Sequence, residues 1–182
     1  MKWVLKHKSI LDEPADVLVC SANVNLLMTG GVGAQMLTRY GEVMQDALRA
    51  QIASRSPRCA QRGEIFAYSG PEMPYRSVLN AVAIDGWYHS SPEVITDIVG
   101  KALAMAAETG ARKVALTALA TGYGPLTMAQ FAQGIQPLLN TQYPPIEEVV
   151  ICLLLDFEVA ELAKHLPGAI VVTETEQTGN QT

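Results

Sequence analysis

Two short segments carry the residue types that hold phosphate. The first runs Ser21-Ala22-Asn23 and then Thr29-Gly30-Gly31-Val32-Gly33; the second is Ala120-Thr121-Gly122-Tyr123-Gly124-Pro125. Each follows an apolar run, Val17 to Cys20 and Val114 to Leu119. Glycines that lead into a helix leave its first N–H groups without acceptors, at the positive end of the helix dipole, and this suits a phosphate or pyrophosphate. Two such loops at strand ends point to a nucleotide-like ligand. The first is not a P-loop, because no Gly-Lys-Ser/Thr follows it, and its glycine spacing does not fit the dinucleotide fingerprint. Asn23 is a candidate ligand contact, or a side chain that only holds the turn.

Strands and helices alternate around these loops. Trp3 to His7, Val17 to Cys20, Ile65 to Tyr68, Val78 to Ile84, Val114 to Leu119, Val149 to Leu155 and Ala169 to Thr173 read as strands. Met36, Leu37, Tyr40, Val43, Met44, Ala47, Leu48 and Ile52 have helical spacing, with Gly41 bending or dividing the stretch. Ser90 or Ser91 caps a helix that starts at Pro92, runs along Val94, Ile95, Ile98, Val99, Ala102, Met105 and Ala106, and ends at Gly110. Thr127 and Gln130 form a capping-box pattern ahead of Phe131 and Ile135, and a last helix runs from Val159 to His165. Near-continuous apolar strands between helices predict a sheet covered on both faces. In such folds ligands sit beyond the carboxyl ends of the strands, where both glycine loops fall.

Composition narrows the function classes. The 182 residues suit one domain, 1–173, with a polar tail at 174–182. Eighteen acidic against thirteen basic residues give a net charge of −5 with no dense basic run, which argues against nucleic-acid binding. Val149 to Leu155 is too short to span a bilayer, and the lysine-interrupted N-terminus lacks a signal-peptide core, so no membrane role is expected. Cys20, Cys59 and Cys152 are odd in number and widely spaced, which suits free thiols in a reducing, cytoplasmic setting and gives no metal set. No cofactor is expected.

The loops resemble those of macro domains. Asp16-Val17-Leu18-Val19-Cys20-Ser21-Ala22-Asn23, followed by Leu26-Leu27-Met28-Thr29-Gly30-Gly31-Val32-Gly33-Ala34, is similar to that family's first ligand loop. Ala118 to Gly124 resembles its second, and Gly63 to Ala83 its middle strands. The resemblance implies a three-layer α/β/α sandwich with a central mixed, mostly parallel sheet, and binding of ADP-ribose. It implies that Asn23 contacts the distal ribose and that Gly30, Gly31, Val32, Gly33 and Ala34 offer N–H groups to the diphosphate. Thr121, Gly122, Tyr123 and Gly124 would cover its other side, Phe157 would stack on adenine, and Asp156 and Ile10 would border the same end. Some members of the family hydrolyse ADP-ribosyl esters, O-acetyl-ADP-ribose or ADP-ribose phosphate.

Three positions depart from the family pattern. Ser9 stands where an aspartate often meets the adenine amino group, Cys20 replaces the first asparagine of Asn-Ala-Ala-Asn, and Gly33 replaces the aspartate of one hydrolase subgroup. A glycine cannot polarise water, which leaves a substrate-assisted route in which Asn23 positions the ribose. Partners expected are ADP-ribose itself or an ADP-ribosylated protein or small molecule. The competing expectation is a degenerate structural or interaction domain without ADP-ribose affinity. Cys20 reads as a core residue, Tyr123 as a cavity wall and His89 as a surface residue; Asp85 lies near the ligand face, and His7 and His165 carry no signal.

Overall fold

The central apolar runs become strands with both faces buried, because their alternate residues serve two different cores, while the runs Ile65–Tyr68 and Ile170–Val172 stay partly exposed at the sheet edges. The structure, a computed structural model, describes residues 1–172. Its strands are β1 (Lys2–His7), β2 (Val17–Ser21), β3 (Ile65–Tyr68), β4 (Ser77–Ala81), β5 (Lys113–Thr117), β6 (Glu148–Leu153) and β7 (Ile170–Val172). Its helices are α1 (Gly31–Tyr40), α2 (Val43–Ala50), α3 (Pro92–Glu108), α4 (Met128–Ile135) and α5 (Asp156–His165), and a 3-10 turn covers Ile10–Asp12.

The seven strands form one sheet in the order β3-β4-β2-β5-β6-β1-β7. Every neighbouring pair is parallel except β3 with β4. In β6, Val149, Ile151 and Leu153 pack into the core shared with α3, α4 and α5. Val150 and Cys152 face the opposite core, where α1, α2 and the 3-10 turn bring Met36, Met44, Leu48 and Ile10. The result is a mixed, mostly parallel sheet between two helical layers, as the resemblance implies.

Local signals act where the residues place them. Ser91 caps α3 by accepting from the Val94 N–H at 3.4 Å, with Pro92 in the first turn. Ser90 instead donates to the Ala83 carbonyl at 2.7 Å. The capping box of Thr127 and Gln130 is formed at α4. Gly41 ends α1 and separates it from α2. Gly134 lets α4 approach α3, since a Cβ there would stand 2.6 Å from the Ile95 Cβ.

Three strands stop short of their apolar runs. The β4 strand ends at Ala81 rather than Ile84, β5 at Thr117 rather than Leu119, and β6 at Leu153 rather than Leu155. Leu154 and Leu155, expected inside a buried strand, are 54% and 47% exposed. Pairing to neighbouring strands runs out first: His7 with Leu153 and Thr117 with Cys152 are the last pairs flanking β6. The strand β7 is described as far as Val172; Thr173 and the 174–182 tail lie outside the described residues. Among the described residues no helix is long and apolar enough to cross a membrane.

Candidate functional site

The carboxyl ends of β2, β5 and β6 open onto one cavity of about 620 Å³, lined by both glycine loops. Its floor is a single register level of the sheet. Cys20 pairs with Asn80, and Thr117 pairs with Cys152. Val19 pairs with Leu116, so Cys20 lies level with Thr117. Asn80, Cys20, Thr117 and Cys152 therefore stand side by side on the α1 face, and all four line the cavity. The Thr117 Oγ1 is buried there with no hydrogen-bond partner among the described residues.

The first loop presents unused donors. Gly30 caps α1 without a side-chain hydrogen bond, and the first backbone bond runs from Ala34 N–H to the Gly30 carbonyl at 3.3 Å. The N–H groups of Gly31, Val32 and Gly33 precede that bond and have no intrahelical acceptor, and all three residues line the cavity. Ala34 does not: its N–H is spent in the helix, and it stands off the cavity wall.

The second loop is braced by its own threonine. The Thr121 hydroxyl donates to the Ala118 carbonyl at 2.7 Å, Gly124 N–H donates to the Thr121 carbonyl at 3.0 Å, and Leu126 N–H donates to the Ala120 carbonyl at 3.0 Å. A Cβ on Gly124 would run into the Ala120 carbonyl, so the turn closes only with glycine there. The N–H groups of Gly122 and Tyr123 have no acceptor among the described residues. Tyr123 is 84% exposed, and its ring edge lies over Gly30 in the opposite loop. The two loops thus face each other across the cavity.

Asn23 lines the cavity, but its side chain is mostly engaged within its own loop. Nδ2 donates to the Leu27 carbonyl at 2.5 Å, and Oδ1 accepts from the N–H groups of Asn25 and Leu27 at 3.1 and 3.2 Å. One Nδ2 hydrogen remains for a ligand. That hydrogen can hold a hydroxyl, but a neutral amide is not a base and takes no proton from water.

At the other end, Lys8, Ser9 and Ile10 line the wall with Leu154, Leu155 and Glu158. The Ser9 hydroxyl caps the 3-10 turn by accepting from the Leu11 N–H at 3.3 Å. Asp156 and Phe157 are not on the wall. Asp156 meets the His7 Nδ1 at 2.7 Å, and the Phe157 ring is 69% exposed. Glu158 takes the wall position from the first turn of α5, and Tyr88 takes one from a loop beyond β4; neither was a candidate from the sequence. Thr117 and Cys152 were missed because their level with Cys20 is set by the pairing of three strands, which alternation along any one strand does not give.

No nucleophile is poised here. Burial, and then the neighbouring Cys152, push the Cys20 thiol far up. Burial and then Glu13 push Cys152 up to about 12, so both thiols stay protonated. Asp85 is drawn into its own turn, where the N–H groups of His89 and Trp87 hold its carboxyl below the usual range. Among the described residues no group of three or more His, Cys, Asp or Glu could hold a metal ion.

Known proteins resemble this chain in sequence and in fold. A Macro domain protein of Streptomyces nogalater is 33% identical over 169 residues, covering 91% of this chain and 92% of its own. An O-acetyl-ADP-ribose deacetylase of Citrobacter koseri is 26% identical over 123 residues, covering 66% of this chain and 68% of its own. A mutant macrodomain of Oceanobacillus iheyensis, solved with ADPR, superposes with a TM-score of 0.79 over 90% of each chain, and at 18% identity it speaks for the fold alone. The Macro domain family model matches residues 19–135, which hold the first glycine loop, all of the cavity floor except Cys152, and the second glycine loop. On that match and the Streptomyces nogalater identity, this chain belongs to the Macro domain family.

Proposed function

We propose that the cavity binds ADP-ribose, free or carried on a protein or small molecule, and that binding is the principal activity. One observation carries this reading: two loops facing each other across one cavity both present backbone N–H groups that nothing in the described chain accepts. These N–H groups lie open to the cavity and its mouth, and a diphosphate between the loops would take them up from both sides, at the positive end of the α1 dipole on one of them. The spare Nδ2 hydrogen of Asn23 would meet a ribose hydroxyl next to that diphosphate. Membership of the Macro domain family supports the same ligand class.

Rapid hydrolysis is the weaker reading. The cavity wall has one carboxylate, Glu158, which lies in the first turn of α5 rather than beside the glycine loops. Gly33 offers no acid, and both thiols are protonated. Slow turnover would rest on oriented N–H groups and the substrate's own oxygens. The deacetylase name of the Citrobacter koseri relative keeps that route open for test.

Titration calorimetry with ADP-ribose, followed by incubation with ADP-ribosylated protein and ADP-ribose phosphate, separates the readings. Binding without release of product is the expected outcome. No heat with ADP-ribose would instead support a degenerate domain.

A further inference from the structure

Beside the cavity mouth the chain holds two aromatic rings out into solvent on a turn that is locked in place. Trp87 is 83% exposed and Tyr88 is 61% exposed. Asp85 fixes the turn by accepting from the N–H groups of Trp87 and His89, each at 2.9 Å, and from Arg62 at 3.3 Å. The Asp85 N–H donates to the His89 carbonyl at 3.2 Å, and Arg62 also donates to that carbonyl at 3.1 Å. Tyr88 sits in the left-handed region, with φ +61°, a conformation bulky residues seldom adopt. Local strain held by a hydrogen-bonded turn, with apolar rings facing water, is not what chain packing alone would produce.

We propose that this turn is the docking platform for the polypeptide that carries the ADP-ribosyl group. The proposal rests on the preceding reading that the cavity holds ADP-ribose. Continuity is the first argument: Tyr88 lines the cavity while Trp87, its neighbour, lies outside it. Position is the second. A Cβ built on Gly86 would stand 4.0 Å from the Val24 Cγ2, which sets the turn beside the Asn23 loop, where the distal ribose and its carrier would emerge.

Charge is the third argument. A nucleic-acid carrier needs cations for its phosphates, whereas this protein has a net charge of −5 and Arg62, the arginine that meets the turn, is paired with Asp85. Rigid aromatic rings give contact area with a peptide at small entropic cost.

The test compares free ADP-ribose, a mono-ADP-ribosylated peptide and an ADP-ribosylated oligonucleotide, using wild type, Trp87→Ala and Trp87→Phe. Wild type should bind the modified peptide about tenfold more tightly than free ADP-ribose, within the range of a single aromatic contact. Trp87→Ala should remove that advantage while leaving affinity for free ADP-ribose within about twofold, and Trp87→Phe should restore most of it. Tryptophan fluorescence gives a local readout, because Trp3 is 2% exposed and Trp87 reports the platform. Its emission should shift with the modified peptide and not with free ADP-ribose. Equal affinities of wild type for peptide and ADP-ribose, no effect of Trp87→Ala, or tighter binding of the oligonucleotide would each overturn the platform. Absence of ADP-ribose binding by wild type would overturn the cavity reading itself.

Discussion

Asn23 and Leu27 hold each other from both sides. The Asn23 Nδ2 donates to the Leu27 carbonyl at 2.5 Å, and the Leu27 N–H donates back to Oδ1 at 3.2 Å. Asn23→Asp tests this clasp more sharply than alanine does. A carboxylate keeps the two bonds that Oδ1 accepts, but sets a charge against the Leu27 carbonyl and has no hydrogen to donate. Stability should fall by about 1–3 kcal/mol, the cost of leaving a part-buried acceptor unmatched. Thermal unfolding should register this as a Tm lowered by roughly 2–12 °C. ADP-ribose affinity should fall with it, and a variant with wild-type Tm would show that the clasp does not hold the loop.

Gly31 separates backbone strain from ligand chemistry. Its φ is +53°, and a Cβ there would meet nothing within 4 Å. Gly31→Ala should therefore cost about 1–2 kcal/mol in backbone strain and leave the N–H cradle in place. Gly31→Glu adds a carboxylate beside donors meant for phosphate. It should abolish ADP-ribose binding by calorimetry while circular dichroism stays native. Equal loss of binding in both variants would make the effect one of loop geometry.

The helical layers over a central sheet and both glycine loops were legible in the sequence, because alternating strands and helices and turn glycines are local signals; the mixed sheet was implied by the family resemblance alone. Strand ends were not. Val82 to Ile84 and Leu154 to Leu155 are as apolar as the strands they follow, and only the last neighbouring pair, such as Ser21 with Ala81, decides where pairing stops. Asp156 and Phe157 were expected at the ligand end by their place after β6. Which side of α5 faces the cavity depends on how that helix is rotated, and its packing turns Glu158 inward instead. Gly33 shows the same dependence on the third dimension. A Cβ there would stand 3.2 Å from the Met28 Cα, so the loop backbone itself fills the space in which an acid would start.

That crowding predicts a poor outcome for restoring an acid. Gly33→Asp must push Met28 aside, an overpacking cost of about 1–3 kcal/mol, against roughly 0.3–1 kcal/mol gained from a negative charge in the first helical turn. Tm should therefore drop by a few degrees. A Tm at or above that of wild type would show that the Met28 loop yields freely.

The cysteines offer a check on the cavity floor. Cys20 and Cys152 are buried and held protonated, whereas Cys59 is partly exposed. Burial pushes the Cys152 thiol up to about 12, so little of the reactive thiolate is present at pH 8. Brief treatment of the folded protein with iodoacetamide should label Cys59 alone, as read by peptide mass spectrometry. Labelling of Cys152 at the rate of Cys59 would mean that the floor is open and the thiol reactive.

Glu13 ties β1 and β5 to the 3-10 turn. Its side chain is fully buried and lies 2.8 Å from Lys6, 2.7 Å from Lys113 and 3.6 Å from Lys8. Burial pushes its pKa up, but hydrogen bonds from Lys113 and Lys6 outweigh it, and the net shift is below the ordinary 4.5. The unfolded chain therefore takes up a proton at Glu13 before the folded chain does. Its stabilisation is present above about pH 4.5 and is lost as pH falls through the lower folded value. Glu13→Gln keeps the shape and removes the charge, leaving Lys6 and Lys113 facing a neutral amide. At pH 7 the loss should be about 3–5 kcal/mol, the cost of breaking a buried pair, measured by urea unfolding. The gap to wild type should narrow in acid, where wild-type Glu13 is itself protonated on unfolding. Glu148, also held below its ordinary value by Lys2 and Lys113 against the pull of burial, keeps part of the acid sensitivity in the variant. A gap that stays constant from pH 7 to pH 3 would place the stabilisation in packing rather than in charge.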